Sequence, residues 1–252
     1  MSHQQNGLGR SPINPSPAII PGLCAGCSAR NIGLCDALDD QDLHFLASVA
    51  TSHIMQKGQI FIAEGDQAQH FFNINQGTAK LFKDLPDGRR QITGFVHAGD
   101  FVGLAAANQY GFSAEAINAV QLCRFDRTEI RSVFSAFPTL ERRLLDIASH
   151  ELVLAQEQML LLGRKTAIKR LASFLWSLSK RTAINPSEAV PLDLPMTRGE
   201  ISDYLGLTIE TVSRALTRLR QQNIIDDQAR HAVRIINYSR LSALANSRSW
   251  PR

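Results

Sequence analysis

No apolar run in the 252-residue sequence approaches the roughly 18 residues needed to span a membrane. Its start, MSHQQNGLGRSPINPSP, is polar and proline-rich and lacks the apolar core of a signal peptide. Residues 1–21 are therefore expected as a disordered lead-in, and the chain as a cytoplasmic protein. Cysteine is scarce, with four in the chain, and cytosolic thiols stay reduced, which argues against a disulfide framework. The seven histidines, His3, His44, His53, His70, His97, His150 and His231, are scattered without metal-ligand spacing or a nucleophile motif beside them. With no catalytic constellation in view, an enzyme is not expected.

The charge that is present is unevenly placed. From Arg164 to the end, 15 Lys and Arg face 7 Asp and Glu, whereas the residues before it carry 12 against 16. A basic C-terminal third on a mildly acidic body is the electrostatic footprint of a nucleic-acid-binding module. Glycine is also unevenly placed, with eight of the 16 lying between residues 58 and 111. Between them run short strand-like segments, QIFIAEG, HFFNINQG, TAKLFKD, RQITGFV and, further on, AVQLCRF. The Pro-Asp-Gly at 86–88 is a hairpin-turn signal, since Asp-Gly tolerates positive φ. Short strands with glycine corners predict an antiparallel β-roll over 52–127.

Helical periodicity takes over at FPTLERRLLDIASHELVLAQEQMLLLG, residues 137–163, with Pro138 early and Gly163 expected past the end. Leu140, Leu144, Ile147 and Leu154 form a stripe suited to packing on the roll. A second stripe, Leu145, Ala148, Leu152, Ala155, Met159 and Leu162, steps by 3 and 4 like the seam of a coiled coil, predicting a homodimer. One wide buried face in a monomer is the alternative. A further helix, KTAIKRLASFLWSLSKR, precedes a loop holding Pro186, Pro191 and Pro195.

The segment MTRGEISDYLGLTIETVSRALTRLRQQNII, residues 196–225, is the most informative. Thr197 with Glu200 three residues on fits a capping box, and Gly206 allows a tight turn. A second helix from about Thr208 would bury Val212, Leu216 and Leu219 and expose Glu210, Thr211, Ser213, Arg214, Thr217 and Arg218. Helix, glycine turn, helix is the arrangement whose second helix enters the DNA major groove. Arg suits the O6/N7 edge of guanine, Glu can accept from cytosine N4, and Ser or Thr can contact several bases. The following HAVRIINYS is read as a wing strand.

Together these features resemble the CRP/FNR superfamily of bacterial transcription regulators over about residues 22–240. Cys-Ala-Gly-Cys with a third nearby cysteine and a distant fourth resembles its FNR subgroup, anaerobic regulators that hold an oxygen-labile [4Fe-4S] cluster. The resemblance implies an α+β fold: cysteine loop and β-roll over 22–136, a dimerisation helix over 137–163 and a winged helix-turn-helix over 164–252. It puts the cluster ligands on Cys24, Cys27, Cys35 and Cys123, and the Glu-x-x-Ser-Arg reading motif on Glu210, Ser213 and Arg214. TTGAT-type half-sites in an inverted repeat and an RNA polymerase partner are implied with it. The seven residues between Cys27 and Cys35 exceed the spacing of the enteric prototype and are similar to the FnrN-type branch.

Thiolates hold iron–sulfur clusters, and Cys123 coming from the roll would tie the loop to the folded body, so that cluster loss releases the loop. Arg30, with no acid between Cys24 and Cys35, is expected to favour thiolates. Zinc also accepts four thiolates, and an iron–sulfur electron carrier could use the same ligands without needing a reading helix. Cyclic AMP control is not expected. GLAAA at 103–107 and FSAEA at 112–116 lack the acid and arginine that resemblance to the cyclic-AMP site would require, and Glu115 would repel a phosphate.

Overall fold

The computed structural model describes residues 22, 24–105, 108–182, 190–229 and 232–246. The lead-in 1–21, Pro186, His3 and His231 lie outside the described residues.

Eight strands build the roll: β1 (Ala50–Met55), β2 (Ile60–Ile62), β3 (His70–Gln76), β4 (Ala79–Asp84), β5 (Arg90–Val96), β6 (Phe101–Val102), β7 (Ser113–Ala116) and β8 (Val120–Asp126). They form two four-stranded antiparallel sheets, ordered β1-β8-β3-β6 and β2-β7-β4-β5. The glycine corners locate five of these strands; β1, β6 and β7 are not among the segments picked out from the sequence. The Pro-Asp-Gly turn joins β4 to β5, with Gly88 at φ +81°.

Period-2 alternation gives β8 two buried faces. Val120 and Leu122 enter the apolar interior between the sheets with Ile62, Phe72 and Ile74. Cys123 and Phe125 point the other way, into a second core with Leu34, Leu38, Ile130 and Leu140. That second core places the cysteine loop. It is closed by α1 (Leu43–Ser48), α2 (Arg127–Ala136) and the start of α3 (Pro138–Arg164). α2 falls where no helix is expected from the sequence. Asp126 starts it, its carboxylate accepting from the backbone N–H groups of Thr128 and Glu129.

α3 takes in Gly163 and ends one residue later, with Lys165 extended as its cap. Leu140, Leu144 and Ile147 of the first stripe pack on the second core, while Leu154, expected with them, lies outside it. Of the other stripe, Leu145, Leu152 and Met159 are 63%, 60% and 71% exposed, whereas Leu162, expected in the same seam, packs on the C-terminal core beside Gly206.

The C-terminal part has one core, built by α4 (Ala167–Thr182), β9 (Val190–Asp193), α5 (Arg198–Leu205), α6 (Ile209–Gln221), β10 (Ile225–Ala229), β11 (Ala232–Ile235) and α7 (Tyr238–Asn246). The stretch read as a wing supplies β11, the central strand of a three-stranded sheet ordered β10-β11-β9, and then enters α7. The expected capping box is present: Thr197 Oγ1 accepts from Glu200 N, and the Glu200 carboxylate accepts from Thr197 N. Such a cap contributes about 1 kcal/mol. Gly206 ends α5 at φ +59°, a left-handed conformation, and a side chain there would press on Leu162 and Arg170.

The roll docks on this core through α5. Phe95 of β5, Phe174 of α4 and Tyr204 of α5 form an aromatic triangle with centroids 5.2 to 5.9 Å apart. Beside it, Lys80 of β4 pairs with both Glu115 of β7 and Glu200 of α5, each at 2.9 Å. Gln91 donates to Asp203 O at 2.6 Å.

Candidate thiol centre and nucleic-acid interface

The three loop cysteines lie on successive tight turns. Cys27 N donates to Cys24 O and Arg30 N to Cys27 O, both at 3.1 Å, and Cys35 opens a short 3-10 turn through Ala37. Ala29, Leu34 and Leu38 are buried, so apolar contacts hold the later part of the loop on the roll. Gly33, at φ +71°, lies so close to Gly99 that a Cβ would collide with the Gly99 carbonyl. Arg143 of α3 donates to Gly33 O at 2.9 Å, linking the loop directly to the long helix.

All four cysteines are free thiols. They lie within electrostatic reach of one another: Cys35 feels Cys123, Cys24 and Cys27, Cys24 feels Cys123 and Cys27, and Cys123 feels Cys27. Cys123 is buried on β8, where Asn75 of β3 donates to its Sγ at 3.1 Å. Among the described residues, no three His, Cys, Asp or Glu side chains gather in the manner of a single metal ion's ligands. Zinc would draw each sulfur to about 2.3 Å from one centre. A [4Fe-4S] cluster takes four cysteine thiolates on a larger body, which suits four thiols converging from a loop and a strand.

The expectation that Arg30 favours thiolates is corrected. Burial pushes the Cys35 thiol up to about 12, reinforced by the other cysteines, with Arg30 a lesser opposing influence. Burial also raises Cys24 and Cys123, the latter partly offset by the Asn75 hydrogen bond. Arg30 is committed elsewhere, donating to Cys35 O and Leu38 O and pairing with Asp40 at 2.8 Å. Its work is to fold the loop.

Glu115 is also reassigned. Its neighbours Ala114 and Ala116 fill the roll interior, so alternation turns Glu115 to the outer face, against Lys80 and Arg90. It does not point where a phosphate inside the roll would lie.

On the reading head, Thr208 caps α6 by accepting from Thr211 N. Val212, Ala215, Leu216 and Leu219 are buried. Glu210, Arg214, Thr217 and Arg218 are exposed, and Thr211 and Ser213 are half-buried beside them. The Glu210 carboxylate sits below its ordinary range, held by its own backbone N–H, the Thr208 hydroxyl and nearby Arg214. Arg198, not singled out from the sequence, donates to Ser213 Oγ at 3.2 Å and so joins the same surface. Its signal was available: as the residue after the Thr197 cap, it must lie at the α5 N-terminus next to the reading helix.

Residues 169–244 match the family described as Crp-like helix-turn-helix domain, and residues 53–137 the cyclic nucleotide-binding domain family. Nitrogen fixation regulation protein FixK of Bradyrhizobium diazoefficiens is 37% identical over 81% of this chain and 86% of its own. Transcriptional activatory protein AadR of Rhodopseudomonas palustris is 38% identical over 87% and 91%, and transcriptional activator protein FnrL of Cereibacter sphaeroides 33% over 86% and 90%. The solved structure of FixK2 from Bradyrhizobium japonicum superposes with a TM-score of 0.73 at 35% identity, covering 79% of this chain and 99% of that one.

Proposed function

Because this chain belongs to the CRP/FNR superfamily of transcription regulators, which bind DNA and are not enzymes, we propose that it is an oxygen-responsive activator sensing through a [4Fe-4S] cluster. Cys24, Cys27, Cys35 and Cys123 would hold that cluster, whose oxygen lability supplies the signal. The observation that carries this reading is that Cys35 packs on the core holding Cys123, and Ser28, next to Cys27, donates to Asn75, whose amide donates to Cys123 Sγ, on a loop that Arg143 ties to α3. The reading is of a cytoplasmic homodimer joined along Leu145, Ala148, Leu152, Ala155, Met159 and Leu162. Three of these, Leu145, Leu152 and Met159, are apolar and mostly exposed in the single chain. Glu210, Thr211, Ser213, Arg214 and Arg218 would read a TTGAT-type inverted repeat, with RNA polymerase as the downstream partner and no cyclic nucleotide.

In this scheme the chain's own residues relay position. Arg143 holds Gly33 against α3, and α3 passes along the roll to the C-terminal core, where Gln158 donates to Tyr204 O of α5 at 2.9 Å. Anaerobic purification with iron and sulfide analysis, alongside duplex binding before and after air, tests the reading. Four irons per chain and air-sensitive binding to the palindrome are expected. One zinc per chain, or a brown protein that binds no specific duplex, would overturn it. Replacing any one of Cys24, Cys27, Cys35 or Cys123 by Ser should abolish the full cluster spectrum, because the chain has no spare cysteine.

A further inference from the structure

Two buried asparagines in the middle of a strand need a reason. Amide side chains are poorly suited to strands, and Asn73 and Asn75 of β3 are only 1% and 8% exposed. They share one face of the sheet, and Asn73 lies directly opposite Cys123 in the antiparallel register. The register shifts between Ile74 and Gln76, so Asn75 sits at an irregularity that re-aims its side chain.

The two amides form a directed chain. Asn73 Nδ2 donates to Asn75 Oδ1 at 3.1 Å, and Asn75 Nδ2 donates to Cys123 Sγ at 3.1 Å. A ligating Cys123 sulfur has no S–H and can only accept, so Asn75 must turn Nδ2 toward it, which leaves Oδ1 for the Asn73 Nδ2 donor. Ser28, next to Cys27, closes the arrangement from the loop side by donating to Asn75 O. Asn73 Oδ1 is buried with no hydrogen-bond partner. An orphaned buried acceptor is costly, so the chain of amides is a poor way to stabilise a sheet. What it does provide is an oriented N–H at one sulfur.

We propose that Asn75, oriented by Asn73, is a positioning residue for Cys123 that raises the reduction potential of the cluster bound there; this rests on the cluster reading above. An N–H donor draws electron density from a ligating sulfur and favours the more negative, reduced cluster. The same bond fixes the direction from which the strand thiol meets the group that the loop thiols share.

Asn75→Leu keeps the size and removes the donor. Anaerobically reconstituted wild type and Asn75→Leu should both bind four irons. The variant should show a lower midpoint potential for one-electron reduction in a mediator titration, and lose iron to a chelator about tenfold faster. Asn73→Leu should shift the potential the same way by less, and it serves if Asn75→Leu does not fold. Neither leucine variant should melt lower than wild type by more than a few degrees in the iron-free state, which separates tuning from support of the fold. Equal potentials and equal iron loss in wild type and a folded, loaded variant would overturn the proposal. The contact has a test of its own in iron-free protein: Cys123→Ala should move the Asn75 side-chain amide resonances, and Cys24→Ala should not. A wild type that takes up no iron would overturn the cluster reading and the tuning together. Unmoved Asn75 resonances beside a loaded wild type would overturn the positioning alone.

Discussion

Arg214 and Glu210 lie one helical turn apart on the exposed side of α6, near enough for the guanidinium to help hold the carboxylate ionised. In the proposed contact with DNA their charges would act in opposite senses. Arg214→Ala should cost about 1–3 kcal/mol in specific binding and relax preference at its guanine, leaving non-specific binding nearly intact. Glu210→Ala should alter base preference, because a carboxylate is repelled by phosphates and gains only from a correctly placed cytosine donor. Titrating specific and scrambled duplexes at one salt concentration checks both; equal loss on the two would remove these residues from base reading. The reading helix is legible in the sequence because its signals are local: Thr197, Glu200, Gly206 and Thr208 act within a few residues of themselves. The Asn73–Asn75–Cys123 chain is not, since it joins positions 48 apart that only the strand register brings together. The thiol environment misleads for a related reason. A cation near in sequence, Arg30, is spent on backbone carbonyls and Asp40, and burial sets the direction instead.

Between elements, the decisive contact is the ion triad where β4 and β7 meet α5. The Lys80 side chain is 9% exposed and the Glu115 and Glu200 side chains 17% each. Burial opposes the charged Lys80, but the hydrogen bonds it donates to Glu115 and Glu200 outweigh it and hold its pKa above the ordinary 10.5. Burial likewise raises Glu200, yet the Thr197 backbone N–H and Lys80 overcome it and leave the carboxyl below 4.5. Lys80→Met leaves two carboxylates facing each other with Arg90 as partial relief, and should destabilise by about 3 kcal/mol in urea unfolding. The sign of the pH dependence follows from the shifts. The Glu200 contribution is complete above 4.5 and is lost as pH falls through its lower folded value; that of Lys80 is complete below 10.5 and is lost as pH rises through its higher one. The stability gap between wild type and Lys80→Met should therefore narrow on acidification, as the facing carboxylates of the variant take up a proton and the wild-type pairing is then lost below 4.5. A gap that widened in acid would contradict the assignment. None of this can be read from the sequence, where Lys80 and Glu115 look like ordinary strand charges; α2 is legible, since Ile130, Val133 and Phe134 fall at helical spacing behind the Asp126 cap, but its stripe is short. The roll itself is legible because its glycines mark corners that lie between its strands.

At the scale of the whole molecule, the apolar stripe of α3 would set how the two reading heads of the proposed dimer face one palindrome. Its six positions carry no charge, and Leu145, Leu152 and Met159 leave most of their surface to solvent in the single chain. Val153 and Leu160, 48% and 64% exposed, widen the apolar strip beside them. Covering such side chains contributes about 25 cal/mol per Å² of apolar area, a drive independent of any thiol chemistry. Ala148 and Ala155 let the helices approach closely but bury little area, so the association should be of moderate strength. The cluster-free protein is therefore expected to retain measurable dimerisation, with oxygen acting in part by changing the alignment of the two α6 helices. Half-sites one helical turn apart, roughly 34 Å, require both helices in register, so a misaligned dimer would bind the palindrome weakly. Ala155→Asp places a carboxylate against its symmetry mate in the seam, and that like-charge cost should shift the cluster-free form to monomer. Specific DNA binding by the variant should then depend more strictly on the loaded state than in wild type. Sedimentation of air-exposed wild type and Ala155→Asp at micromolar concentration separates the outcomes. A wild type that sediments as a clean monomer would mean the seam cannot hold by itself and that the thiol centre governs assembly as well as alignment.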